Sequence, residues 1–364
     1  MRSTWTSRRV RALTPYTPGE QPKDGRPLIK LNTNENPYGP GEKAAAVLRD
    51  FPADTLRLYP NPAAEGLRAA FARHAGLDPA EVYVSNSSDE VLSFAYAALF
   101  DGGSEEPPLL IPDPGYGFYP IFADYHRVPW RLLPLDENWE VDIPPGIEGQ
   151  GLVLADPNAP TGIALKTEAK AALLDRALAA GWPVILDEAY IAFGGETAAP
   201  WIRRYPNLLV VRTLSKSHGL AGLRVGAAFG QPELIRALET VRDAVNAYPL
   251  DRVALAVAEA ALDDAAWTAQ TVRRIVATRE RFSAGLRERG FEVLPSAANF
   301  VFARHPDCDG ATLLHLLRGQ GILVRHFSRE RLRPWIRITI GTDSDMERFL
   351  DVLDLLAEGR SEYE

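Results

Sequence analysis

The chain has 364 residues, 46% hydrophobic and 24% charged, the composition of an ordinary globular protein, and its length exceeds what one hydrophobic core usually supports, so two lobes are expected. Its single cysteine, Cys308, excludes an internal disulfide framework and a thiolate zinc cluster, while the net charge of -8 disfavours bulk attraction to nucleic acid or anionic lipid. The six histidines form no H-E-x-x-H pair and no run of about 18 apolar residues occurs, so neither a zincin-type metal site nor a membrane span is expected.

In chain order, the first 19 residues lack acids and carry Arg2, Arg8, Arg9 and Arg11. That composition resembles an organelle transit peptide, but Pro15 and Pro18 interrupt any long amphipathic helix and favour a basic arm that packs on a neighbour. With no apolar signal-peptide core and one cysteine, a cytoplasmic location is expected. From about residue 42, short apolar runs alternate with Ala/Leu-rich stretches, the pattern of βα units around a mainly parallel sheet. Strands are expected at 82–84, 109–111, 152–155, 184–186, 208–212 and 225–229, and helices at 88–100, 167–180, 232–245 and 267–289, the last stopped by Gly290.

Beyond Gly290 the texture changes to strands at 291–294, 299–303, 322–325 and 335–340, with helices at 310–319 and 344–356. Segment 27–31 is expected to add a strand to this smaller α+β unit. The expected fold is therefore α/β. An N-terminal arm and part of the small unit occupy 1–44, a large unit with helices on both faces of its sheet occupies 45–265, and the small C-terminal unit occupies 266–364.

In an open parallel sheet, ligands collect at the carboxyl ends of the strands, so the polar residues after each apolar run matter most. After Val84 come Ser85-Asn86-Ser87-Ser88-Asp89-Glu90 and a helix, whose N-terminal amides suit either a phosphate or an ordinary cap. After Ala155 come Asp156-Pro157-Asn158-Ala159-Pro160-Thr161-Gly162, and after Leu186 come Asp187-Glu188-Ala189-Tyr190. After Arg212 the chain reads Thr213-Leu214-Ser215-Lys216-Ser217-His218-Gly219, with Arg224 eight residues beyond the lysine. No G-x-G-x-x-G fingerprint or Walker loop accompanies these turns, which removes the usual nucleotide explanations. Lysine, aspartate, aromatic and helix N-terminus together supply what pyridoxal phosphate needs.

On these motifs the chain resembles fold type I pyridoxal-phosphate aminotransferases, and within them the histidinol-phosphate branch. Asp187-Glu188-Ala189-Tyr190 and the Ser215-Lys216 to Arg224 segment carry the likeness to the superfamily, while Asn34-Glu35-Asn36-Pro37 and Val324-Arg325 point to the branch. The resemblance implies that Lys216 forms the Schiff base and later moves the proton between Cα and the cofactor. It makes Asp187 the partner of the pyridine nitrogen, Tyr190 a donor to the phenolic oxygen, and Tyr116 the ring that stacks on the cofactor. Ser88, Asp89, Ser215 and Arg224 would hold the phosphate, joined by Tyr59 from the other subunit of a homodimer with shared active sites. Arg337 would grip the substrate anion with Arg325, Tyr16 and Asn36 nearby.

Three departures from the family pattern stand out. Ala159 replaces an asparagine common before Pro160, so the phenolic-oxygen contact falls to Asn158. Ser85 and Ser87 replace two glycines, which strains the turn if it needs positive φ. Gly115 and Gly117 flank Tyr116 where relatives carry bulkier residues, which implies a looser stacking loop. The implied reaction is amino transfer between histidinol phosphate and 2-oxoglutarate, giving imidazole acetol phosphate and glutamate in histidine biosynthesis. Threonine-phosphate decarboxylase is the competing lyase. An aromatic amino acid aminotransferase, with Phe118, Tyr119, Phe122 and Phe327 as an apolar pocket, is the third enzyme reading, and a non-catalytic cofactor carrier is the last.

Overall fold

The computed structural model describes residues 5–22 and 28–359. Thus Arg2, and Pro27 at the start of the expected extra strand, lie outside the described residues. Thirteen strands are found among them: β1 (Ile29–Lys30), β2 (Val82–Asn86), β3 (Leu109–Asp113), β4 (Trp130–Pro134), β5 (Gly151–Ala155), β6 (Val184–Asp187), β7 (Leu208–Thr213), β8 (Val225–Phe229), β9 (Glu292–Val293), β10 (Phe300–Arg304), β11 (Ile322–Leu323), β12 (Arg325–His326) and β13 (Ile336–Thr339).

The large sheet has the order β2-β8-β7-β6-β5-β3-β4. β3 to β7 run parallel, and β8 is antiparallel to both its neighbours, so the sheet is mixed but mostly parallel. Its central strands are buried on both faces, which is why they read as continuous apolar runs. Two layers of side chains complete the burial. One sets Leu152, Leu154, Leu186 and Val210 against Leu174, Ala254 and Val257, and the other sets Val153, Ile185 and Val211 against Val91, Leu92, Tyr96 and Leu238. β4, absent from the sequence expectation, is an edge strand with Trp130, Arg131 and Pro134 exposed.

The smaller sheet is antiparallel, β12-β13-β10-β9, and β1 pairs parallel with β11 beside it. Expected strand 322–325 divides into β11 and β12, which belong to different sheets. Phe282, Phe300, Ile336, Ile338 and Phe349 form the core here, joined by Leu31 from the N-terminal segment. Helix Asp343–Ala357 closes on it with a capping box, the Thr342 hydroxyl accepting from Asp345 N while the Asp345 carboxylate accepts from Thr342 N.

The helix Ala265–Glu288 joins the segment after β6 to the small-lobe core, its buried Arg279 donating to Phe193 O at 3.1 Å and Ala298 O at 2.8 Å. Two further arginines cross the same cleft. Arg329 pairs with Asp113 at the end of β3, and Arg331 donates to the carbonyls of Leu135 and Asp136. The cleft between the lobes is thereby set at the carboxyl ends of β3, β5, β6 and β7.

Candidate active site

That cleft holds a cavity of about 390 Å³ lined by residues from the N-terminal arm, the large-sheet strand ends and the small lobe. Tyr16, Ser88, Asp89, Tyr116, Asp187, Tyr190, Ser215, Lys216, Arg224, Arg325 and Arg337 all line it. Parallel strands ending together explain the convergence of Asp187, Ser215 and Lys216, which leave β6 and β7 side by side.

Asp187 is buried, with Tyr119 Oη donating to Oδ2 at 3.0 Å and Ala189 N donating to Oδ1 at 3.1 Å. Burial raises its carboxyl to about 6, because the charged form loses more hydration than these donors return. Lys216 Nζ donates to Thr33 O at 3.2 Å and lies 5.9 Å from the Tyr190 ring centroid. Burial, reinforced by the Arg337 charge, lowers the amine to about 8. A lysine so placed is uncharged in roughly a tenth of molecules at neutral pH, far more than a free lysine, and the uncharged amine is the form that attacks a carbonyl.

Helix Ser87–Leu99 begins without a side-chain cap on its first-turn amides, and its residues Ser88 and Asp89 line the cavity. Arg224 stands beside them, paired with Asp89 at 3.0 Å, and Asp89 also accepts from Tyr116 Oη at 3.2 Å. Ser215 Oγ accepts from the Thr213 hydroxyl at 2.9 Å. Of the two serines in place of glycine, only Ser87 takes positive φ, at 71°, a conformation costing an L-residue about 1–2 kcal/mol. Ser87 N is held by Arg224 O at 2.9 Å, and a Cβ on Gly226 would come within 2.4 Å of Ser88 N, so glycine there lets the turn lie against β8. Ser85 instead donates its hydroxyl to Glu90.

The opposite end of the cavity is cationic. Arg337 donates through Nη2 to Asn32 O at 3.1 Å, and its buried Nε has no hydrogen-bond partner. Arg325 donates to Thr17 O at 3.2 Å and Pro18 O at 3.5 Å. Among the described residues neither guanidinium forms an ion pair, and burial lowers the Arg337 pKa from its ordinary value, with Arg325 adding to the effect. Tyr16, stacked on Phe118 at 4.2 Å, closes this end.

Three expected residues stand outside the lining. Tyr59 is 79% exposed and stacks on Tyr248 at 4.8 Å. Asn36 donates to Lys216 O at 3.0 Å and Ser217 O at 3.2 Å, holding the lysine turn from behind. Asn158 spends its amide on Pro114 O at 3.1 Å and Thr161 Oγ1 at 3.0 Å, while Ala159 faces the cavity. The expected apolar pocket of Phe118, Tyr119, Phe122 and Phe327 does not line the cavity: Phe118 stacks on Phe122, Tyr119 donates to Asp187, and Phe327 packs on Phe302 beside the Arg325 and Arg337 guanidiniums. The Tyr116 loop is anchored rather than loose. Its hydroxyl reaches Asp89, and Gly115 is demanded by Pro112 O, 2.6 Å from where a Cβ would sit.

Two contacts escaped the sequence reading. Tyr119 sits in an aromatic run that reads as core, so its hydroxyl bond to Asp187 carries no local signal. Asn34, the first residue of a branch motif, donates to Tyr190 Oη at 2.9 Å. Among the described residues no group of His, Cys, Asp and Glu is placed to hold a metal ion, and no helix is long and apolar enough to cross a membrane.

The donor set fits pyridoxal phosphate. The uncapped helix start with Ser215 and Arg224 suits the phosphate, Asp187 a protonated ring nitrogen, and the Lys216 amine the aldehyde. Comparison with known proteins points the same way. A relative from Gluconacetobacter diazotrophicus, named histidinol-phosphate aminotransferase, is 50% identical over 349 residues, spanning 94% of this chain and 95% of its own length. The fold matches the histidinol-phosphate aminotransferase of Sinorhizobium meliloti solved with pyridoxal-5'-phosphate (TM-score 0.83, 24% identity, 97% and 98% of the two chains). It also matches an L-threonine-O-3-phosphate decarboxylase from Porphyromonas gingivalis (TM-score 0.77, 22% identity, 91% and 100%), so the fold alone does not choose the reaction. The model of aminotransferase class I and II matches residues 26–353, and with this coverage the chain belongs to the class I and II aminotransferases.

Proposed function

We propose that the protein transfers the amino group of histidinol phosphate to 2-oxoglutarate, a step of histidine biosynthesis, using pyridoxal 5'-phosphate. The observation that carries this reading is the pair of guanidiniums, Arg337 and Arg325, lining one cavity without a carboxylate partner among the described residues. Histidinol phosphate brings a phosphate and no carboxylate, whereas glutamate brings two carboxylates. Guanidinium forks bind either anion bidentately, so one site serves both substrates. The 50% identity to a histidinol-phosphate aminotransferase over nearly the whole chain supports the same substrate.

In this reading the unit 45–265 holds the cofactor, while the arm within 1–44 and the unit 266–364 hold the substrate anion. The first-turn amides at Ser88 and Asp89, with Ser215 and Arg224, bind the phosphate. Tyr116 covers the ring, Asp187 balances the protonated ring nitrogen, and Tyr190 donates to the phenolic oxygen, a contact Asn158 does not share because its amide is taken up by Pro114 O and Thr161 Oγ1. When bound, pyridoxal phosphate accepts the electron pair left on the substrate Cα. Lys216 Nζ removes the Cα proton as an uncharged amine and returns a proton to the opposite end of the reacting system. Arg337 and Arg325 orient the anion, Tyr16 covers it, and Asn36 holds the Lys216 backbone in place.

The working unit in this proposal is a homodimer in which Tyr59 reaches the partner's cofactor phosphate. Its support is the set of exposed apolar side chains Leu48, Leu56, Leu58, Tyr59, Val245 and Tyr248 on one lobe, of which Tyr59 and Tyr248 stack on each other. A cytoplasmic location, consistent with a lone cysteine, belongs to the same reading. Amino transfer is tested by mixing enzyme, histidinol phosphate and 2-oxoglutarate and measuring glutamate. Carbon dioxide released from threonine phosphate, without glutamate formation, would assign the lyase instead.

A further inference from the structure

We propose that Asn34 fixes the direction of the Tyr190 phenol proton, and that Thr339 fixes Asn34, so that Tyr190 is held as a hydrogen-bond donor toward the cavity. The inference rests on the pyridoxal-phosphate reading above and names two positioning residues for it. Asn34 and Thr339 are 1% and 2% exposed, so their polar atoms must find partners inside the protein. Asn34 N donates to Thr339 Oγ1 at 3.0 Å, and Thr339 Oγ1 donates to Asn34 Oδ1 at 3.1 Å. That leaves Asn34 Nδ2 to donate to Tyr190 Oη at 2.9 Å, while Asn299 Nδ2 holds Asn34 O at 3.0 Å.

The reversed amide is disfavoured by the same network. With Nδ2 turned toward Thr339, that hydroxyl would face two donors and its own proton would lose its acceptor in a buried place. With the amide as placed, Tyr190 Oη receives a proton from Asn34 and keeps its own. Among the described residues that proton has no protein acceptor, and Tyr190 lines the cavity. The ring cannot turn away, because it packs edge-on against Phe300 at 5.1 Å. A phenol that accepts one hydrogen bond is a stronger donor of another, so Asn34 both aims and strengthens the Tyr190 contact. Thr339 stands two residues after Arg337 on β13, so the strand that carries the anion-binding arginine also sets the tyrosine.

The test reads the pH midpoint of the visible absorption band of protein loaded with pyridoxal phosphate. A donor on the cofactor's phenolic oxygen drains negative charge from it and lowers the pH at which the adjoining nitrogen loses its proton, so loss of the donor raises the midpoint. Asn34→Asp keeps the side-chain shape and tolerates the left-handed φ of 56°, but its carboxylate takes the Tyr190 proton. The expected rise is roughly one to two pH units. Because the new charge alone would also raise the midpoint, Thr339→Val is the decisive variant. It adds no charge, frees the amide to turn, and should raise the midpoint by about half a unit or more, while Thr339→Ser restores the original value. Thr339→Ala gives the same comparison if Thr339→Val does not fold. An unchanged midpoint in the variants without a hydroxyl, or a Thr339→Ser midpoint equal to theirs, overturns the inference. No visible band in the unmodified protein would instead overturn the cofactor reading on which it rests.

Discussion

The two ends of the cavity differ in how their charges are balanced. At the large-sheet end Arg224 is matched by Asp89, and Asp187 accepts from Tyr119 and Ala189. At the small-lobe end Arg337 and Arg325 donate, among the described residues, only to backbone carbonyls. An enclosed cation without a counter-ion is costly, so in the proposed reading the substrate's anion completes this end. The first end suits a group that stays, and the second suits anions that come and go with each half of an amino transfer.

The sharpest way to break the resident end is to remove its nucleophile. Lys216→Ala should abolish multiple turnover, a loss of several orders of magnitude, and should eliminate the borohydride-trapped cofactor adduct. Mass mapping that finds the reduced adduct of the unmodified protein on another lysine would reject the assignment. Asp187→Ala should still allow covalent capture of the cofactor but slow turnover by roughly a thousandfold, since about 4 kcal/mol of transition-state stabilisation leaves with the carboxylate. Near-normal rates at saturating cofactor would contradict this.

The pH dependence sharpens the same end. The Lys216 amine, lowered to about 8, is charged below that pH and uncharged above it. Capture of pyridoxal phosphate by cofactor-free protein should therefore quicken about tenfold per pH unit up to about 8 and level off beyond, as stopped-flow absorbance would show. Continued acceleration to pH 10 would mean that the site does not lower this amine. The smallest effect is a rescue. Tyr59→Ala and Lys216→Ala subunits, mixed and reassociated, should regain up to about one intact site per hybrid, because a two-fold interface places both lesions in one site. A fully active monomer in sedimentation would remove the shared site.

Much of the resident end is legible along the chain, because parallel strands bury both faces and announce their ends. Asp187 and Lys216 each follow an unbroken apolar run, and β6 and β7 bring them together by pairing in register. β4 carries no such run, since an edge strand with Trp130 and Arg131 exposed reads as a loop. The helix Phe118–His126 is hidden by its aromatic start and by Pro120, which a first turn tolerates. Long-range partners leave no local trace. Asn34 and Thr339 are 305 residues apart in the chain, and the orientation of Asn158 depends on Pro114, 44 residues away. The anion end is legible only as arginines on β12 and β13; that they have no carboxylate partner among the described residues is a property of the folded cleft.

The contrast between the ends is tested most directly by Arg337→Lys, which keeps the charge but loses the planar fork. KM should rise at least about tenfold for both glutamate and histidinol phosphate, while the affinity for pyridoxal phosphate stays unchanged. Weakening of only one substrate, or release of the cofactor with both substrates unaffected, would contradict it.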